Sequence, residues 1–237
     1  MFGSERQEQI LSYLKEKKTV SVKKLTELFY ISEATARRDL LALEKAGQCR
    51  RVFGGAFLSG GADTQVPLFV REREDEAEKN KLAAMAAAYL RDGMVLFLDG
   101  SSTVWHLLPY LKEKKDLIVI TNGLNLATAL CDTDIKTYVI GGLLLGNSAV
   151  LTGPLSEHSA DAFRADLAIL SCKGMDAEGR LTDTSESETE LRRRFLANSK
   201  QKLVLLTRQK LGKSYLHLLC HKEDVDAVLT LPDATGK

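Results

Sequence analysis

Residues 31–47, Ile-Ser-Glu-Ala-Thr-Ala-Arg-Arg-Asp-Leu-Leu-Ala-Leu-Glu-Lys-Ala-Gly, constrain this chain more than any other stretch. Ser32 is a helix cap, Gly47 a helix stop, and Ala36, Leu40 and Leu43 fall on one face of the helix between them. A shorter helical pattern from Val22 to Phe29 precedes it, with Ser21 as its cap and only Tyr30–Ile31 for a turn. Two helices so joined, the second opening with Thr35, Arg37 and Arg38, have the arrangement that sets a helix into a DNA major groove.

The flanking residues extend this reading over residues 1–58. Ile10, Leu11 and Leu14 supply the apolar face of an earlier helix. Beyond Gly47, short strand-like runs around Gly54–Gly55 predict a β-wing. Residues 1–58 hold 11 Lys and Arg against 7 Asp and Glu, a net of +4, while the remainder holds 22 against 25, a net of −3. The overall charge of +1 therefore conceals a basic head on a mildly acidic body, as expected if only the head meets phosphates. Lys23, Lys24, Arg50 and Arg51 are candidate phosphate contacts beside Ser32, Thr35, Arg37 and Arg38. Taken singly, each is an ordinary solvated charge; the grouping is what matters.

The run Arg6-x3-Ile10-Leu11, Val20-x-Val22-x2-Leu25, Ser32-x2-Thr35-x-Arg37-Arg38-Asp39-Leu40-x2-Leu43-Glu44-x2-Gly47 and Gly54-Gly55-Ala56 resembles the DeoR family of bacterial transcription regulators. The resemblance continues through nearly the whole chain. It implies a winged helix-turn-helix at 1–58, a sensor domain for sugar phosphates, and repression of a carbohydrate operon.

A linker is expected at 59–74, with Ser59 to Gln65 its most linker-like part, and an α/β domain over 75–237. There, apolar runs of strand length at 94–98, 117–120, 137–140, 167–170, 202–206 and 227–230 alternate with helical patterns at 78–90, 104–111, 124–130, 156–164 and 187–197. That alternation predicts a largely parallel sheet wrapped by helices, with ligands beyond the carboxyl ends of its strands. No apolar run reaches the ~20 residues of a membrane span. The scattered Cys49, Cys131, Cys172 and Cys220, and a start without a signal region, fit a reduced cytoplasmic protein. His217 and His221 have the spacing of one helix face but no carboxylate at ligand spacing, so neither a metal nor another cofactor is expected.

Three strand ends carry candidate effector chemistry. Asp99-Gly100-Ser101-Ser102-Thr103 offers hydroxyls and helix-start amides suited to an anion. Thr121–Asn122 follows the next strand, and Gly141–Gly142 leaves room for close approach of a ligand. Lys173 adds a cation and Asp176 an acceptor for sugar hydroxyls. These residues, with Leu181–Thr182, are similar to motifs of the sugar-phosphate isomerase and CoA-transferase superfamily, which the family's sensor domain resembles. Two departures stand out. Arg192–Arg193–Arg194 replaces a lysine usual in that helix, and Thr207-Arg208-Gln209-Lys210-Leu211-Gly212 replaces an Asp-Ser-Ser-Lys-like loop, keeping Lys210 as a further effector candidate. The variant around Lys173 resembles members tied to inositol and related catabolism.

The partners so implied are double-stranded operator DNA, a phosphorylated sugar or cyclitol effector, and further copies of the chain in a dimer or tetramer. The competing reading is a sugar-phosphate isomerase-like enzyme fused to a DNA-binding head, in which Asp99 or Asp176 would serve as general base.

Overall fold

The computed structural model describes residues 3–17, 19–52, 54–58, 68–146 and 148–232, which form two compact units divided between Arg73 and Glu74. Residues 59–67 of the expected linker lie outside the described residues. Residues 68–73 are not loop but a short helix, α4 (Leu68–Arg73), whose first residue is buried.

In the first unit α1 (Gly3–Lys17), β1 (Thr19–Ser21), α2 (Val22–Phe29) and α3 (Glu33–Lys45) precede the wing strands β2 (Cys49–Val52) and β3 (Gly55–Leu58). The antiparallel sheet runs β1-β3-β2. Ser21 Oγ accepts the Lys24 amide at 3.0 Å and Ser32 Oγ that of Thr35 at 3.2 Å, so both helices start on the serines that the sequence offers. Tyr30, at φ 51°, takes the left-handed conformation that turns α2 into α3. Ile10, Leu14, Leu25, Ala36, Leu40 and Leu43 make the core, with Leu11 only partly buried. Across it Arg6 pairs with Asp39, Nε to Oδ2 at 2.6 Å and Nη2 to Oδ1 at 3.2 Å. This two-pronged contact ties α1 to α3.

The second unit comprises α5 (Glu76–Ala87), β4 (Val95–Leu98), a 3-10 turn at Val104–Leu107 running into α6 (Leu108–Leu111), β5 (Ile118–Thr121), α7 (Leu124–Leu130) and β6 (Lys136–Val139). There follow β7 (Leu143–Leu145), β8 (Val150–Thr152), α8 (Pro154–Asp161), β9 (Ala165–Leu170), β10 (Gly174–Met175), β11 (Arg180–Asp183), α9 (Glu186–Ala197), β12 (Ser199–Leu205), β13 (His217–His221) and β14 (Ala227–Leu229). Six of these strands form one parallel sheet in the order β14-β12-β9-β4-β5-β6. Successive side chains of a strand point to opposite faces. Leu96, Leu98, Val119, Leu167, Ile169 and Leu203 accordingly pack under Leu107, Leu111 and Leu126. Phe97, Ile120, Ala168, Leu170 and Val204 pack on the other side under Ala160, Leu191 and Phe195. Phe97 and Phe195 stack with ring centroids 4.4 Å apart.

Two features depart from expectation. The β7–β8 hairpin and a small antiparallel sheet, β10-β11-β13, are additional. His217 and His221 stand on β13, so they do not share a helix face. Among the described residues no helix is long and apolar enough to cross a membrane.

Asp39 is 2% exposed, so its removal strands the Arg6 charge against the head's core. Asp39→Ala is expected to destabilise the first unit by about 3 kcal/mol. The loss would read as an early phase in thermal denaturation followed by far-UV circular dichroism.

Candidate nucleic-acid interface and effector pocket

Arg37, Arg38 and Arg50 all lie on the surface of the head. Arg37 bonds Glu33 one turn earlier at 2.8 Å, an exposed pair that is readily exchanged for a phosphate or a base edge. Lys23 opens α2, exposed, and Ser32 and Thr35 share a hydroxyl contact of 3.0 Å at the tip of α3. Arg51 differs from its neighbours. Its amide and its Nε both donate to Glu44, each at 2.8 Å. Its guanidinium thus clips the wing to α3, and Arg50 is the outward charge of the wing. The Arg51 amide and guanidinium hold the Glu44 carboxyl below the usual carboxylate range. A depressed value means that the clip contributes above the unfolded pKa and is lost as pH falls through the folded one.

In the second unit the strand ends meet around Asp99. Its Oδ1 accepts the Ser101 amide at 3.2 Å, and its Oδ2 accepts the Ser171 amide at 3.2 Å and Arg192 Nε at 2.8 Å. Arg192 also donates to Asp183 and Glu188, both at 2.9 Å, so one buried guanidinium serves three carboxylates. Those carboxylates raise the Arg192 pKa against the opposing pull of burial, and it stays charged. The sequence reading assigned Asp99 to effector contact or proton transfer; its acceptor positions are instead taken up by the protein itself. Arg192, noticed in the sequence only as a departure, is the organising residue. A signal for it was present, because it shares a helix face with Glu188 and is flanked by the apolar Leu191, Phe195 and Leu196.

Gly100 and Gly123 bring the first two loops together. A Cβ on Gly100 would lie 2.8 Å from the Gly123 Cα, closer than a side chain tolerates. Asn122 locks the junction: its Oδ1 accepts the Gly100 amide, its Nδ2 donates to the Leu151 carbonyl, both at 3.0 Å, and Thr121 Oγ1 accepts the Gly123 amide. Gly142 packs closely on α8. A Cβ there would lie 2.1 Å from Ser156 Oγ, whereas Gly141 opens to free space. Asp176 lies off the cluster. It accepts the Glu178 and Arg180 amides and the Arg180 guanidinium within the β10–β11 turn.

At the end of β12, Lys210 Nζ reaches Ser171 Oγ at 2.8 Å, while Ser171 Oγ itself donates to the Leu205 carbonyl at 2.7 Å. Lys173 stands just beyond β9, its amide bonded to the Thr182 carbonyl. The neighbouring Cys172 thiol is pushed up to about 11 by burial, so it stays protonated at neutral pH. The Ser101 hydroxyl caps the following 3-10 turn by accepting the Val104 amide at 3.2 Å. The hydroxyls of Thr103, Thr152 and Thr207, each fully buried, have no hydrogen-bond partner. Two of them lie just past the carboxyl ends of β4 and β12, and the third closes β8. Buried polar atoms are rarely left so, and Thr103 and Thr207 follow strands of the parallel sheet on the side where α/β sheets take ligands.

Comparison with known proteins matches residues 6–59 to the DeoR-like helix-turn-helix domain and residues 74–231 to the DeoR C terminal sensor domain. The chain belongs to the DeoR family. It is a DNA-binding transcriptional regulator. The HTH-type transcriptional regulator GolR of Listeria innocua is 32% identical to this DeoR-family chain, the match covering 97% of the chain and 91% of GolR. The glycerol-3-phosphate regulon repressor of Escherichia coli is 28% identical over 97% of the chain and 91% of its own length. Among solved structures, eIF2B delta from Chaetomium thermophilum shares the α/β fold at TM-score 0.50 and 17% identity. That match covers 68% of this chain and 58% of the eIF2B subunit.

Two measurements test this geometry. The Arg51 amide resonance should report a Glu44 titration with a midpoint below the about 4.3 of a free glutamate; a midpoint at or above that value removes the clip. Replacing Arg192 by Met strands three carboxylates, and should cost the DeoR sensor domain on the order of 3–5 kcal/mol in urea denaturation.

Proposed function

We propose that this DeoR-family regulator represses a carbohydrate-catabolism operon and leaves its operator when a phosphorylated sugar or cyclitol enters the pocket past β4, β9 and β12. The observation that carries the reading is the set of donors at the Asp99 loop. The Thr103 hydroxyl is buried and unpartnered, and among the described residues the Ser102 and Thr103 amides have no acceptor. Lys210 joins the same cluster through Ser171, and Lys173 stands beyond the neighbouring strand. Amides at a helix start, a hydroxyl and a lysine are what a phosphate monoester requires. One relative is named for the regulon of a phosphorylated polyol, which agrees. The commitment of Asp99 to Arg192 and two amides supports a sensor over an isomerase, since a general base needs a free carboxylate facing the substrate.

In the head, α3 is the helix read into the major groove. Arg37 and Arg38 would meet base edges; Lys23 and Arg50 would meet phosphates, with Ser32 and Thr35 at the helix tip. A single winged head spans few base pairs, so two heads on paired half-sites, and hence a dimer or tetramer, belong to this reading.

Arg38→Ala should weaken operator binding by ~1–3 kcal/mol and relax specificity. Arg50→Ala should weaken binding to all sequences alike and flatten its salt dependence. Gel shifts over a salt series separate the two; unchanged binding in the Arg37→Ala, Arg38→Ala double variant overturns the groove assignment. For the pocket, calorimetry with a panel of sugar and cyclitol phosphates should find one that binds at least tenfold more tightly than its unphosphorylated parent. Lys210→Ala and Lys173→Ala should each lose that ligand while retaining DNA affinity. Turnover of any of these phosphates by the wild-type chain would restore the enzyme reading.

A further inference from the structure

A parallel sheet that is not closed ends in two edges, and an uncovered edge is a template for another strand. The edges of this molecule are treated unequally. At one end of the six-stranded sheet β14 has only three residues and packs against α5. On the small sheet, β13 is closed by Arg193, which donates to the carbonyls of Leu218 and Leu219. β6 has no such cover. The Lys136 amide bonds the Leu117 carbonyl at 3.2 Å and the Ile140 amide bonds that of Thr121 at 2.8 Å, so the even-numbered residues face β5. By alternation Thr137 and Val139 turn their N–H and C=O groups to the open side. Among the described residues nothing pairs with them.

The surface around this edge is largely apolar, with the exposed Lys136 ammonium over the Tyr138 ring at 5.2 Å. Tyr138 is 37% exposed and Val139 45%, with Leu143 at 67%, Leu144 at 50% and Leu155 at 72%. These residues are neighbours in space. The Tyr138 ring rests on Phe163 at 5.1 Å, and Ser156, next to Leu155, donates to the Gly141 carbonyl at 2.5 Å. Tyr138 and Val139 lie on opposite faces of β6, so the five side chains flank the edge on both sides and together expose about 500 Å² per copy.

We infer that β6 pairs with β6 of a second copy of this chain, antiparallel about a twofold axis at Tyr138. This deepens the paired-head reading by naming its surface. In that register Thr137 of each copy exchanges both backbone bonds with Val139 of the other, and four hydrogen bonds satisfy the four open groups of each strand. The backbone bonds are open to any strand, but a second copy also supplies the matching flanking side chains by symmetry. Complete burial of the five side chains in both copies would remove roughly 1,000 Å², the lower bound for a specific interface. Tyr138 meets its own counterpart at a non-hydrogen-bonded position, where Cα atoms stand about 4.5 Å apart, within the reach of a disulfide.

The test uses the full chain at micromolar concentration. Sedimentation velocity of the wild type should show a dimer or a multiple of it, and Val139→Pro should halve that mass. Proline at this position removes only an outward N–H and leaves the β5 ladder complete, so circular dichroism should be unchanged. Tyr138→Cys in a Cys131→Ser background should form a covalent dimer on mild oxidation, while Leu216→Cys, at an exposed position just before β13, should not; this arm stands even if the proline variant fails to fold. A dimeric wild type whose Tyr138→Cys variant does not cross-link overturns the β6 surface and leaves paired heads standing. A monomeric wild type overturns both.

Discussion

Arg192 is the constraint on which the sensor domain depends. A guanidinium held away from water is costly, and three carboxylates around it are costlier still unless every charge finds a partner. The sheet solves both at once by bringing Asp99 from the end of β4, Asp183 from the end of β11 and Glu188 from the preceding turn of α9 to the three guanidinium nitrogens. The same Asp99 receives the Ser101 and Ser171 amides, so the ion cluster also sets the backbone of the loops that bound the candidate pocket. Removing the cation would leave three buried carboxylates without their counter-charge.

The head repeats this device on a smaller scale. Arg6 and Asp39 hold α1 on α3, and Glu44 clips Arg51 and with it the wing. In each unit some charges are thus used up in holding the fold, and those left facing outward are the ones available for a ligand. Arg38 and Arg50 belong to the second class in the head. Arg51, Asp99 and Asp176 resemble them in the sequence but each has partners within the chain. A charged residue therefore cannot be assigned to a ligand from its type and position in the chain alone.

Most of the sheet was legible in the sequence because buried parallel strands are continuous apolar runs, and all six were expected within a few residues of where they stand. The short polar strands β10, β11 and β13 were not, since Gly174, Thr182 and His217 carry no such pattern. The His217 and His221 spacing was read with helical period although the chain runs there as strand, where the same interval puts both on one side. Helix caps were read correctly at Ser21 and Ser32, because a cap is a bond within four residues and needs no knowledge of the rest of the chain.

That division by range runs through the whole molecule. The sequence by itself determined the helix-turn-helix, the parallel sheet and the basic head, which rest on local periodicity, local capping and residue type, and its motifs carried the resemblance to the family. Only the tertiary structure decided which carboxylates meet Arg192, why Gly142 must be bare beside Ser156, and that β6 is an edge strand with no further strand paired to it among the described residues. Asp99 and Arg192 are 93 residues apart in the chain and 2.8 Å apart in space. Burial and pairing of that kind follow from the order in which strands enter a sheet, and no local pattern encodes that order.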